Sequence, residues 1–229
     1  MEKIRNQYLL PLSVILKSLE DKERAQQAKQ YLRNQFEFFG IMATQRREAY
    51  KLFFKEYKLP EAAIFPDIIH ELWNLPEREY QYFGMELLEK FVKKSGKEII
   101  SEIEFTVTNK SWWDTIDMIA THCAGDYFKK FPDEILPITK KWMDSENFWL
   151  QRTALLFQLK YKKNTDTSLF EEYIPRLLSS NEFFIQKAIG WVLREYSKTN
   201  AQYVIKFIEN HQLKPLSQRE AMKWINKNE

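Results

Sequence analysis

Laid 35 residues apart, two stretches of this chain fall on each other position by position. Asn147-Phe148-Trp149-Leu150-Gln151-Arg152 meets Glu182-Phe183-Phe184-Ile185-Gln186-Lys187, pairing aromatic with aromatic twice, then aliphatic, Gln and base with their own kind. Tyr161 falls on Tyr196 in the same register. Twice that offset upstream, Glu77 meets Asn147, Tyr80 meets Leu150, Gln81 meets Gln151 and Phe91 meets Tyr161. The intervening unit puts Trp112 on Asn147, Trp113 on Phe148 and Asp117 on Arg152. One slot therefore holds Tyr82, Asp117, Arg152 and Lys187 in four successive units.

A period of this length, filled by helix pairs, predicts stacked repeats in which each unit buries its apolar face against the next. The residue supply agrees. Five glycines and five valines leave little for turns and strands, whereas Leu, Lys, Glu, Gln and Phe are plentiful. Apolar spacing places helices at Glu2 to Leu19 (with Pro11 as a kink or early break), Asp21 to Asn34, and from Thr44 as N-cap. More follow over Ala62 to Trp73, Glu77 to Lys94, Lys97 to Val107, Trp112 to Lys130, Asp133 to Met143 and Asn147 to Lys162. Ser168 to Leu178, Glu182 to Lys198, Ala201 to His211 and Ser217 to Asn228 complete the series. The expectation is an all-α fold, an α-solenoid of HEAT-like helical repeats. No Pro/Ser-rich linker interrupts residues 1–229, so one domain is expected, with equivalent slots lining a curved, basic, concave cleft.

Several function classes drop out. One cysteine, Cys123, excludes an internal disulfide and suits a reducing compartment. The histidines at 70, 122 and 211 lack ligand spacing, so no metal is expected. Isolated glycines give no phosphate loop, so no cofactor is expected. The chain opens on mixed charges rather than an apolar leader, and no run of apolar residues is long enough to span a membrane. A cytoplasmic monomer is expected. A net charge of +3 permits a nucleic-acid partner without announcing one.

The slot series places one acid, Asp117, among the bases Arg152 and Lys187. Trp113 precedes Asp117 by one helical turn, Trp191 follows Lys187 by one, and Arg194 lies three residues beyond. Basic side chains in register suit a phosphate backbone, which a lone carboxylate would repel. Chemistry gives the carboxylate a reason to be there. Release of an alkylated purine builds positive charge on the sugar, which an ionised carboxylate stabilises while it orients water. Arg152 would favour that ionised form, and tryptophan faces attract the cation. The bland reading of each residue stays open: aromatics at helical spacing usually pack inward, a surface acid often caps a helix, and arginines often make surface ion pairs. Trp73, Trp112, Trp142 and Trp224 are assigned to packing, and the run from Lys160 to Lys163 to a solvated helix end.

Longer stretches carry a resemblance. Glu71 to Glu79 (ELWNLPERE), Thr108 to Asp117 (TNKSWWDTID), Trp149 to Arg152, Phe157 to Tyr161 and Phe183 to Tyr196 (FFIQKAIGWVLREY) look like the AlkD family of bacterial DNA alkylation-repair glycosylases. So do Pro215-Leu216-Ser217 and Arg219-Glu220-Ala221. The resemblance covers nearly the whole chain. It implies a monofunctional enzyme that hydrolyses the N-glycosidic bond of cationic N3- or N7-alkylated purines in double-stranded DNA, without metal or cofactor and without flipping the base into a pocket. It implies Trp113, Asp117 and Trp191 in the catalytic cleft, and Tyr31, Arg152, Lys160 and Arg194 on the DNA. Lys187 joins the phosphate contacts through its slot. A bacterial, nucleoid-associated location follows from the same resemblance. The competing reading is a non-enzymatic HEAT-like scaffold that binds DNA or protein.

Overall fold

The computed structural model describes residues 2–228, in which helices and their connections form the whole architecture. Among the described residues β-pairing amounts to a single isolated bridge, Glu37 with Glu77. No helix of the described residues is long and apolar enough to cross a membrane. Met1–Phe91 and Val92–Glu229 form two compact units.

The first unit carries α1 (Glu2–Ser18), α2 (Lys22–Tyr31), α3 (Ala43–Tyr57), α4 (Phe65–Asn74) and α5 (Arg78–Val92). Pro11 lies inside α1 without ending it. The expected Thr44 cap is not used: α3 begins at Ala43, and Met42 precedes it with no side-chain cap. A buried carboxylate organises the approach to α3. Glu79 accepts the backbone N–H groups of Phe39, Gly40 and Ile41 at 3.1, 3.0 and 3.2 Å. Gly40 has φ 84°, and a Cβ there would stand 2.1 Å from the Asp21 carbonyl oxygen, so only glycine fits.

The second unit contains α6 (Ile100–Thr108), α7 (Trp113–Met118), α8 (Gly125–Lys130), α9 (Ile135–Asp144) and α10 (Phe148–Leu156). Then come α11 (Ser168–Leu177), α12 (Phe183–Ser197), α13 (Ala201–Asn210), α14 (Pro215–Met222) and α15 (Ile225–Asn228). Three departures from the expected spans matter. A π-helical turn, Ile119–Ala124, separates α7 from α8. The helix holding Arg152 stops at Leu156, because Gln158 turns back to bond the backbone N–H and C=O of Asp166 at 2.9 and 3.0 Å. The last expected helix divides into α14 and α15.

What holds the second unit together is its period. Thr139 and Tyr173 share a hydroxyl hydrogen bond of 2.7 Å, Tyr161 donates to the Gly125 carbonyl at 2.6 Å, and Trp142 Nε1 donates to Glu104 at 2.7 Å. These partners lie 34, 36 and 38 residues apart, as expected where each unit bonds mainly to the next. The repeated glutamines explain part of the register. Gln81, Gln151 and Gln186 donate to the carbonyls of Leu75, Ser145 and Ser180, each six residues upstream, at 3.1, 2.8 and 3.3 Å. Each ties the connection entering its helix to that helix.

Candidate functional site

Trp112 is extended (φ −157°, ψ 159°), and its carbonyl accepts the N–H groups of Thr115 and Ile116 at 3.2 and 3.0 Å, starting α7 at Trp113. Asp117 falls in the last turn of this short helix. Immediately beyond it the backbone widens into the π turn, and the Thr121 hydroxyl donates to the Asp117 carbonyl at 2.7 Å. Such widened turns need an extra residue per ring and re-aim the side chains beside them. Trp113 and Asp117 share one face of α7, as their four-residue spacing requires.

That face borders a cavity of about 340 Å³. Asp117 and Trp113 meet Arg152 of α10 there, together with Phe183, Phe184, Lys187, Trp191 and Arg194 of α12 and Glu220 of α14. Positions 183, 187, 191 and 194 recur every three or four residues, so α12 presents one stripe of aromatic, base, aromatic, base. Trp112 faces a different cluster, with its ring centroid 6.1 Å from Trp149 and 5.3 Å from Phe184. Its packing with them supports the cavity wall from behind.

Two carboxylates line the cavity, and their surroundings differ. Arg152 Nε donates to Asp117 Oδ1 at 2.8 Å, and Nη2 stands 2.8 Å from the same oxygen as an ion pair. Its Nη1 donates to the Phe184 carbonyl. Asp117 Oδ2 takes no hydrogen bond from the described residues. Burial pushes the Asp117 carboxyl above the usual aspartate range, and the Arg152 guanidinium offsets only part of that rise. The sequence expectation named Arg152 alone; desolvation outweighs it. Glu220 is 4 % exposed and takes three cations. Lys187 and Lys223 stand 2.8 and 2.6 Å from Oε1, and Arg194 stands 2.9 Å from Oε2. Burial would raise its pKa, but hydrogen bonds from Lys187 and Lys223 bring it down to about 2.

Most of the residues singled out in the sequence thus come together: Trp113, Asp117, Arg152, Lys187, Trp191 and Arg194 share this cavity. Arg152, however, is only 3 % exposed and spends its donors inside the protein, which leaves it poorly placed to grip phosphate. Lys187 and Arg194 keep 37 % and 29 % of their side chains exposed. Lys160 does not line the cavity; it is exposed, in the turn after α10, and hydrogen-bonded to His122. Tyr31 belongs to the first unit. There it is 72 % exposed and lines a cavity of about 350 Å³ with Arg24, Met42, Arg46 and Tyr82. Sequence reasoning gave no role to Phe183, Phe184 or Glu220. Among the described residues, no group of three His, Cys, Asp or Glu is arranged to hold a metal ion.

A family model for DNA alkylation repair enzymes matches residues 13–225. Among solved structures, the chain is 35% identical to one described as a predicted DNA alkylation repair enzyme from Enterococcus faecalis. That match has a TM-score of 0.85 and covers 91% of this chain and 97% of that one. AlkD2 from Streptococcus mutans is similar in fold, with 19% identity, a TM-score of 0.60, and coverage of 78% and 89%. So is smu.31 from Streptococcus mutans UA159, with 20% identity, a TM-score of 0.59, and coverage of 78% and 92%. No curated protein matches the chain in sequence.

Proposed function

Because the chain belongs to the DNA alkylation repair enzyme family, we propose that it is a monofunctional DNA glycosylase acting on cationic N3- and N7-alkylated purines in duplex DNA. The observation that carries this reading is the pairing of Asp117 with two tryptophans at one cavity, with its Oδ2 taking no hydrogen bond from the described residues.

In the proposed reaction the C1′–N bond breaks and its electron pair leaves with the purine, cancelling the positive charge on the base. Charge then develops on the sugar. Asp117 stabilises that oxocarbenium ion from one side. A water held by the carboxylate adds its oxygen to C1′, and its proton passes to the carboxylate and on to solvent. Trp113 and Trp191 present ring faces to the cationic sugar, which needs no extrusion of the base into a closed pocket. Of the two carboxylates, Asp117 suits this work. Glu220 is saturated by three cations and has little negative potential left to offer.

Lys187 and Arg194 contact phosphates in this reading, with Lys160 and Tyr31 adding contacts from outside the cavity. Arg152 serves the reaction by fixing the Asp117 carboxylate. The non-enzymatic alternative draws on the same ion pair, since an acid neutralised by a buried arginine can simply be structural. Incubation with duplex DNA containing N7-methylguanine separates the two. The enzyme reading expects free 7-methylguanine above the spontaneous background, whereas a scaffold retains the DNA and releases none.

A further inference from the structure

Glu220 is the cavity residue with the most ionic partners and no part in the proposed chemistry. Its two carboxylate oxygens divide the work: Oε1 takes Lys187, and Oε2 takes Arg194. Those bases sit two helical turns apart on α12, with Trp191 between them. A single carboxylate on a neighbouring helix therefore sets the spacing of both. The approach is built in at Gly190. A Cβ there would lie 2.4 Å from Glu220 Cβ and 2.7 Å from the Ser217 carbonyl oxygen, so α12 and α14 come close only because that position has no side chain. Ser217 strengthens the same seam by donating to the Gln186 carbonyl at 2.9 Å.

We infer that Glu220 is a positioning residue, which braces Lys187 and Arg194 as a two-point clamp for a DNA phosphodiester on either side of Trp191. The inference rests on the DNA-binding part of the reading above. Both bases remain partly exposed while Glu220 is buried, so the carboxylate holds them from beneath and leaves ammonium and guanidinium donors for an incoming anion. Long basic side chains lose considerable rotamer freedom on meeting phosphate. Holding them beforehand removes part of that cost. Lys223, also on Oε1 and half exposed, keeps the cluster positive on balance, so the buried acid does not turn the clamp repulsive.

A carboxylate close to a phosphate site ordinarily weakens DNA binding, and this gives the test a sign. Binding of an N7-methylguanine duplex is measured by fluorescence anisotropy across a salt series for the wild type, Glu220→Gln and Glu220→Asp. The brace predicts that Glu220→Gln binds about tenfold more weakly despite its added positive charge, with a salt slope shallower by about 1 to 2 as one or two phosphate contacts are lost. Glu220→Asp keeps the charge and shortens the reach, so a severalfold loss in that variant reports geometry alone and covers the case where the Gln variant does not fold. In a Lys187→Gln/Arg194→Gln background the Asp substitution should add nothing. Equal or tighter binding by Glu220→Gln with an unchanged slope, or wild-type affinity in a folded Glu220→Asp, overturns the inference. Wild-type protein that fails to bind the duplex contradicts instead the DNA-binding reading on which it rests.

Discussion

Arg152 grips one oxygen of Asp117 with two nitrogens, Nε and Nη2, both at 2.8 Å from Oδ1. The grip is one-sided, so the carboxylate is oriented while its second oxygen keeps an edge for water or a developing cation. Loss of the arginine should therefore act through the acid more than through DNA affinity. Arg152→Ala leaves Asp117 half-buried without its partner and removes the donor to the Phe184 carbonyl, at a cost of about 3–5 kcal/mol in stability. At a temperature where the variant is still folded, its rate on bound substrate should fall much further than its DNA affinity. Arg152→Lys restores a charge but not the fork, so it should recover stability in part and rate poorly. Single-turnover release read beside anisotropy distinguishes these effects.

Since burial raises the Asp117 pKa, the pH profile should carry its mark. The proposed reaction needs the ionised carboxylate, which is lost as pH falls through the folded-state pKa. The acid limb of the single-turnover rate should accordingly begin above the range of an ordinary aspartate. A limb at or below that range would show that the titrating group is not a desolvated Asp117.

Glu220 has the opposite linkage. Its folded-state pKa of about 2 lies below the unfolded value of a glutamate, so its contribution to stability is complete above the unfolded value. It fades as pH falls toward the folded value, when the unfolded chain takes up the proton first. The contribution is bounded at about 3 kcal/mol. Urea unfolding from neutral pH down to about pH 2 should show this acid loss in the wild type and a smaller one in Glu220→Gln.

Gly190→Ala tests the same seam by sterics. The new methyl must displace Glu220 Cβ or the Ser217 backbone, so the substitution should destabilise by about 1–3 kcal/mol even though alanine favours helix. Thermal unfolding is the measurement, and an unchanged or higher Tm would contradict the close contact.

Some of this was legible in the chain and some was not, for physical reasons. Gln81, Gln151 and Gln186 betray the repeat because each performs the same local task, tying down the connection six residues back. The register in turn brought Asp117, Arg152 and Lys187 to one cavity from three separate helices. Partner choice was less visible. Spacing puts Arg152 beside Asp117 but does not reveal that it is buried, with its guanidinium turned to Asp117 and the Phe184 carbonyl. Glu220 escaped because it answers Lys187 at an offset of 33 rather than 35, after a connection that shifts the register. Its only trace was its place in the matched Arg219-Glu220-Ala221 stretch. The π turn beside Asp117 left no sign in a sequence whose apolar spacing predicts one continuous helix from Trp112 to Lys130.

In the proposed reaction Asp117 acts on the transition state and contributes nothing favourable to holding DNA. Asp117→Asn keeps the shape of the side chain and removes its charge, so the most direct measurement is its single-turnover release of 7-methylguanine beside its affinity for the same duplex. The expected rate is lower by about a hundredfold or more, with affinity equal to or tighter than wild type. An Asn variant that releases base at the wild-type rate, or one that stays folded yet loses its DNA, would contradict it.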